Sequence, residues 1–144
     1  MTTPQTFENH AKFVPAYHVA VLGIFFINFV WSVYRLVHAF SVESVISLLL
    51  AIAFLLLSFY ARIFALTVQD RVIRIEMQLR LQQCLPADLR PRIPEFELAQ
   101  LIALRFASDQ ELPELARKVL NERIQDRKTI KKMIKNWNPD FLRA

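Results

Sequence analysis

One glycine, Gly23, and one cysteine, Cys84, are all that this chain of 144 residues holds of either type. A phosphate-cradling loop or a dinucleotide-binding fingerprint needs several glycines so that the backbone can approach a phosphate, and a single one excludes both. A single thiol allows no internal disulfide, as suits a reducing compartment. The sequence has no HExxH, no CxxC and no nucleophile elbow. His10 and His18 are separated by Pro15, and a long apolar run lies between His18 and His38, so no two histidines stand one helical turn apart. Metal or haem ligation is therefore not expected, nor is any cofactor, and the absences together point away from an enzyme.

Charge is scarce as well, but only locally. Between Tyr17 and Leu66 the formal charges are Arg35, Glu43 and Arg62. Two apolar runs occupy this stretch, "VAVLGIFFINFVWSVY" from Val19 to Tyr34 and "VISLLLAIAFLLLSFYA" from Val45 to Ala61. Their apolar flanks extend both to the roughly 20 residues that cross a bilayer. The sequence predicts transmembrane helices at about 17–37 and 42–66, joined by a tight turn around His38 to Ser41 as an antiparallel hairpin. A cleaved leader fits less well, because only Lys12 precedes the first run and that run is longer than a usual leader core. Beyond Thr67 there are 15 Lys and Arg against 11 Asp and Glu, with Arg62, Arg71, Arg74 and Arg80 crowding the end of the second run. The turn offers only Arg35 beside Glu43, so the positive-inside bias puts both termini in the cytoplasm.

The second run continues without Gly or Pro into "VQDRVIRIEMQLRLQQ", where Ile73, Ile75, Met77, Leu79 and Leu81 alternate with polar residues as in a β-strand. Good helix formers dominate its second half, and no turn residue separates it from the membrane helix, so the helix is expected to continue. A heptad seam runs along it. Ser44, Ala51, Ser58, Ala65, Val72 and Leu79 are seven apart, and Ser47, Phe54, Ala61, Val68, Ile75 and Gln82 interleave. Small residues allow close approach in lipid, where no hydrophobic drive exists, and branched ones gain from burial in water. At about 100° per residue, Val72, Ile75 and Leu79 fall on one flank and Ile73, Met77 and Leu81 on another, with the (i, i+4) pair Glu76 and Arg80 on a strip between. A helix apolar in two directions needs two neighbours. The chain's own C-terminal segment can supply one; the other points to a further subunit or protein, unless the C-terminal helices wrap both flanks.

"CLPADLRPRIP" breaks the long helix, and three short helices are expected to pack on it. Pro94 suits a helix start, Ser108 with Glu111 has capping-box spacing, and Asp126 suits an N-cap. In "DRKTIKKMIKNWNP" a helix ending before Pro139 would set Ile130, Met133, Ile134 and Trp137 on one face. Arg127, Lys128, Lys131, Lys132 and Lys135 would then lie on the other. Such a helix can lie on anionic lipid, with Trp137 at the surface, or simply complete a small core. The excess of positive charge is small and no nucleic-acid motif is present, so nucleic acid is not an expected partner. Asn28, near the middle of the first span, reads as a helix-packing side chain.

Four stretches, "FENHAKFVPAYHV", "VQDRVIRIEMQLRL", "QLIALRFASDQELPEL" and "IKKMIKNWNPD", resemble an uncharacterised bacterial family of small two-span membrane proteins, a domain of unknown function. The resemblance covers nearly the whole chain. It implies a bacterial inner-membrane protein with a cytoplasmic tail, and no activity. It also marks "NHAKFVP", with Phe7, Phe13 and Val14, as a segment along the cytoplasmic interface. The expectation is thus an all-α membrane protein: an interfacial segment at 1–16, a hairpin at 17–66 and a cytoplasmic helical domain at 67–144. Its role is read as a structural or accessory subunit that self-associates or docks onto a larger membrane complex. The alternatives are an anionic-lipid sensor led by the basic helix, or an ion-conducting homo-oligomer using Asn28 and Arg35.

Overall fold

The computed structural model describes Phe7 and residues 14–140. Every regular element among them is helical, apart from one isolated β-bridge. The chain divides into two compact units, one within Lys12–Leu66 and one within Thr67–Ala144, to which Phe7 also belongs. Of the N-terminal interfacial segment expected at 1–16, residues 1–6 and 8–13 lie outside the described residues.

The first unit opens with π-helical turns at Ala16–Val21 that follow Pro15. Proline has no N–H to give, and the N–H groups of Tyr17 and His18 both donate to the Val14 carbonyl, at 3.1 and 2.9 Å. Helix α1, Leu22–His38, follows and stops at Ala39, whose backbone leaves the helical region. Helix α2 is Val42–Cys84, so no kink-forming Gly or Pro and no strand interrupts the long apolar segment. A reciprocal pair starts it. The Ser44 N–H donates to Ser41 Oγ at 3.1 Å and the Ser41 N–H to Ser44 Oγ at 2.9 Å, a capping box with serine in both places.

Within this unit Ser32 of α1 and Ser44, Ala51 and Ser58 of α2 are buried. Phe25 stacks on Phe54 with centroids 5.2 Å apart, and Tyr17 donates its phenolic hydroxyl to the Ser58 carbonyl. The serine hydroxyls are satisfied one turn back, Ser32 on Asn28 at 2.8 Å and Ser58 on Phe54 at 2.9 Å. Small residues with internally bonded hydroxyls let two backbones approach without leaving a polar group unmet. Over the first half of the seam, Ser44, Ala51 and Ser58 are thus buried within their own hairpin.

In the second unit a short 3₁₀-helix, Arg90–Glu95, follows α2 and leads to α3, Leu98–Leu104. The start at Pro94 expected from the sequence is displaced to Leu98. Glu97 and Gln100 form the capping box instead, the Glu97 N–H donating to Gln100 Oε1 at 2.8 Å, and Pro94 sits in the preceding turn. Helix α4, Leu112–Asn121, and helix α5, Arg127–Met133, complete the unit. Asp126 caps α5 by accepting from the Thr129 N–H at 2.8 Å. One contiguous core joins Ile73, Met77 and Leu81 of α2 to Leu101, Leu104, Phe106, Leu112, Ala116, Val119 and Ile130.

Helix α5 is shorter than the sequence suggested. It ends at Met133, and Ile134 is already extended. The strand-like stretch after it pairs with the loop after α3 through the bridge Ala107 to Trp137. The Ser108 N–H donates to the Asn136 carbonyl at 3.0 Å and the Asn138 N–H to the Phe106 carbonyl at 2.7 Å. Glu111 fixes the same stretch from the other side. Its carboxylate accepts the N–H groups of Lys135 and Asn136 at 3.2 and 3.3 Å, so it does not turn back to complete the box begun by Ser108.

Candidate functional site

Along α2 in the second unit, burial follows a helical period and not the alternation of the sequence. Ile73, Met77 and Leu81 are 4, 2 and 0% exposed, whereas Val68, Val72, Ile75 and Leu79 are 61, 47, 60 and 56% exposed. Residues four apart share a fate; residues two apart do not. The core-facing flank and the open flank stand on nearly opposite sides at about 100° per residue. The C-terminal helices cover one of them and leave the other bare, so they do not wrap both. A contiguous row of four large apolar side chains open to solvent is the kind of surface that marks an interaction site.

Its borders are charged. Arg71 and Glu76 are exposed on either side of the row, and neither has an ion-pair partner among the described residues. Arg80 departs from its expected pairing with Glu76. Its guanidinium donates to Asp109 Oδ1 at 2.7 Å and to the carbonyls of Arg105 and Ala107 at 3.0 and 2.6 Å, clamping α2 to the α3–α4 loop. Local spacing cannot show this bond, since Asp109 is 29 residues away. Arg80 holds the Asp109 carboxyl below its usual range through the hydrogen bond and its charge. Burial pushes the Cys84 thiol up, and the Asp109 carboxylate 3.5 Å away pushes in the same direction.

The remaining candidates scatter. Ala61 and Ala65 are exposed, Ser47 is half-buried, Asn28 is exposed and Arg35 half-buried on α1. In the basic segment Arg127, Lys128, Lys132 and Lys135 are exposed, but Ile130 and Ile134 are buried and Trp137 packs on Phe106 with centroids 5.0 Å apart. Lys131 is half-buried with its Nζ 4.9 Å from the Phe106 ring. The apolar face that would enter lipid is turned into the core, leaving only charge outside. Among the described residues no three His, Cys, Asp or Glu side chains gather as a metal site would require.

Around the hairpin the exposed surface is almost wholly apolar: Ile24, Phe26, Ile27, Val30, Leu49, Leu56, Leu57, Phe59 and Phe64 all face outward. Only 6% of the apolar window in Ala16–His38 and 17% of that in Val42–Cys84 is buried, at mean hydropathies of 1.8 and 2.4. Trp31, Tyr34 and His38 stack in a column at the end of α1, with centroids 5.5 and 4.2 Å apart. The protein is thus all-α, with two helices long and apolar enough by length and composition to cross a membrane. It belongs to a family of unknown function, DUF6526, which it matches over residues 1–144. No curated protein and no solved structure matches the chain significantly.

Proposed function

We propose that this is a non-enzymatic integral membrane protein of the bacterial inner membrane, a structural or accessory component of a membrane assembly. The hairpin anchors it and the C-terminal helical unit stands in the cytoplasm. A helix of such hydropathy with so little of it buried has a poor place in water, where each exposed Leu, Ile or Phe forgoes roughly 1.5–3 kcal/mol of burial. The column Trp31, Tyr34 and His38 has the composition of an interfacial aromatic belt. Phe7 lies with the C-terminal unit, its ring 5.8 Å from Lys132 Nζ, which agrees with both ends of the chain being on one side. The arginines after the second run favour the cytoplasm for that side.

The single observation that carries the assembly role is the open flank Val68, Val72, Ile75 and Leu79, set opposite a flank that the chain's own core covers. Gentle extraction of native membranes tests it. The protein should resist carbonate, need detergent for release, and emerge at a mass above that of one chain, which Val72→Glu with Ile75→Glu reduces to one chain. Release by carbonate ends the membrane reading, and a single-chain mass for the wild type ends the assembly reading.

A further inference from the structure

Resting on that proposal, we infer that the open flank is covered by a second copy of this chain, with the two α2 helices side by side, parallel and in register. Three observations lead to it. The flank has coiled-coil spacing: Val72 and Leu79 stand at a positions and Val68 and Ile75 at d positions, all open. On this frame Arg71 falls at g and Glu76 at the following e, the two places whose side chains meet across a parallel pair. Both are exposed, and neither is engaged within its own chain by an ion pair among the described residues.

In a parallel, in-register pair Arg71 of each chain faces Glu76 of the other, and the symmetry makes two such bridges. An antiparallel pair brings g beside g and e beside e, so that no Arg–Glu bridge forms anywhere along the row. The membrane chooses the same arrangement independently. Two copies inserted with one topology send α2 out in the same direction from the same depth, which fixes both polarity and register before any contact forms. The flank buried on the C-terminal core lies on the opposite side of the helix, so a second copy approaches without displacing α3, α4 or α5.

The test uses the purified full chain in vesicles containing no other protein, with Cys84→Ser as the background. Val72→Cys and Ile75→Cys should each form a disulfide-linked dimer under mild oxidation, while Arg74→Cys, placed off the row, should not. Arg71→Glu and Glu76→Arg should each cut the Val72→Cys dimer by about tenfold, two weak attractions becoming two repulsions. Combining them should restore it. Restoration by the double exchange is specific to two copies of one chain, since an unrelated partner has no matching change. A dimer indifferent to these charges, or linked as readily through Arg74→Cys, overturns the parallel register. If Val72→Cys forms no dimer in vesicles yet crosslinks to a different protein in native membranes, the second copy is excluded and the assembly role stands. If it crosslinks to nothing in either setting, both fall.

Discussion

Arg80 donates to Asp109 at 2.7 Å across a sequence gap of 29 residues, and the same guanidinium takes the carbonyls of Arg105 and Ala107. One side chain thereby ties the long helix to the loop that joins α3 and α4. With its head group mostly enclosed, it satisfies two loop carbonyls that regular structure leaves unpaired.

Replacing Arg80 with methionine keeps the stem and removes the clamp. The loss of hydrogen bonds from a charged donor should lower the stability of the helical unit by about 2 kcal/mol, read by chemical denaturation of the full chain in detergent. The pH dependence follows the sign of the Asp109 shift. Its carboxyl is held low in the folded state, so its stabilisation is complete above the ordinary carboxylate range and fades as pH falls through the folded value. Arg80→Met should flatten that acid limb; an unchanged limb would mean that Asp109 has no part in it. Cys84 gives a second readout, because its raised pKa keeps the thiol protonated near pH 7 and slow to alkylate. Asp109→Asn should speed alkylation.

Two residues one alternation apart on α2 should respond very differently. Met77, 2% exposed, is part of the core, and Met77→Ala should cost about 2–4 kcal/mol. Ile75, 60% exposed, should change the stability of a dilute single chain by no more than about 0.5 kcal/mol when replaced by alanine. Equal losses at the two positions would mean that both flanks are covered within one chain.

The two flanks were legible in the sequence because apolar spacing at 3.6 residues per turn is a local property of Val68 to Leu81, but which of them the C-terminal helices cover was not. The hairpin seam was only half legible. Ser44, Ala51 and Ser58 stand out as small residues, but which neighbour covers them depends on α1. There Leu22, Phe25, Phe29, Ser32 and Leu36 repeat at alternate steps of three and four, a pattern that would have pointed to the chain's own first helix. The end of α5 was misjudged for a different reason. Ile130, Met133, Ile134 and Trp137 satisfy the helical template, yet Trp137 is drawn into an extended pairing with Ala107, thirty residues earlier, and no local pattern contains that partner. The Asn136 to Pro139 stretch held the available warning, since a residue before proline avoids the helical region.

The shortage of glycine leaves a mark on the fold. Helix α4 ends with the Arg123 N–H on the Leu120 carbonyl at 3.3 Å and the Ile124 N–H on the Val119 carbonyl at 3.1 Å. This is the paired closure that normally places glycine in the left-handed region, and here Arg123 occupies it at φ 51°. A side chain there costs about 1–2 kcal/mol, partly offset because glycine has more freedom to lose on folding. Arg123→Gly should therefore raise stability by about 0.5–1 kcal/mol in a denaturation series. A loss of stability would show that the Arg123 side chain makes a contribution larger than its backbone strain.

Trp137 separates a core role for the basic segment from a lipid-seeking one. Its ring packs on Phe106, which is fully buried, while its backbone is fixed by the bridge to Ala107. A ring so held cannot also sit among lipid headgroups unless the bridge opens. In a Trp31→Phe chain, where Trp137 is the one remaining tryptophan, emission should be the same in zwitterionic and anionic vesicles. Trp137→Ala should in turn lower the stability of the helical unit by about 2–3 kcal/mol, less than for a fully buried ring because this one is half-exposed. A blue shift confined to anionic vesicles, together with a small stability loss, would return the segment to the membrane surface. Arg127, Lys128, Lys132 and Lys135 would then act with the tryptophan as a lipid contact, and α5 would have to detach from the core to make it.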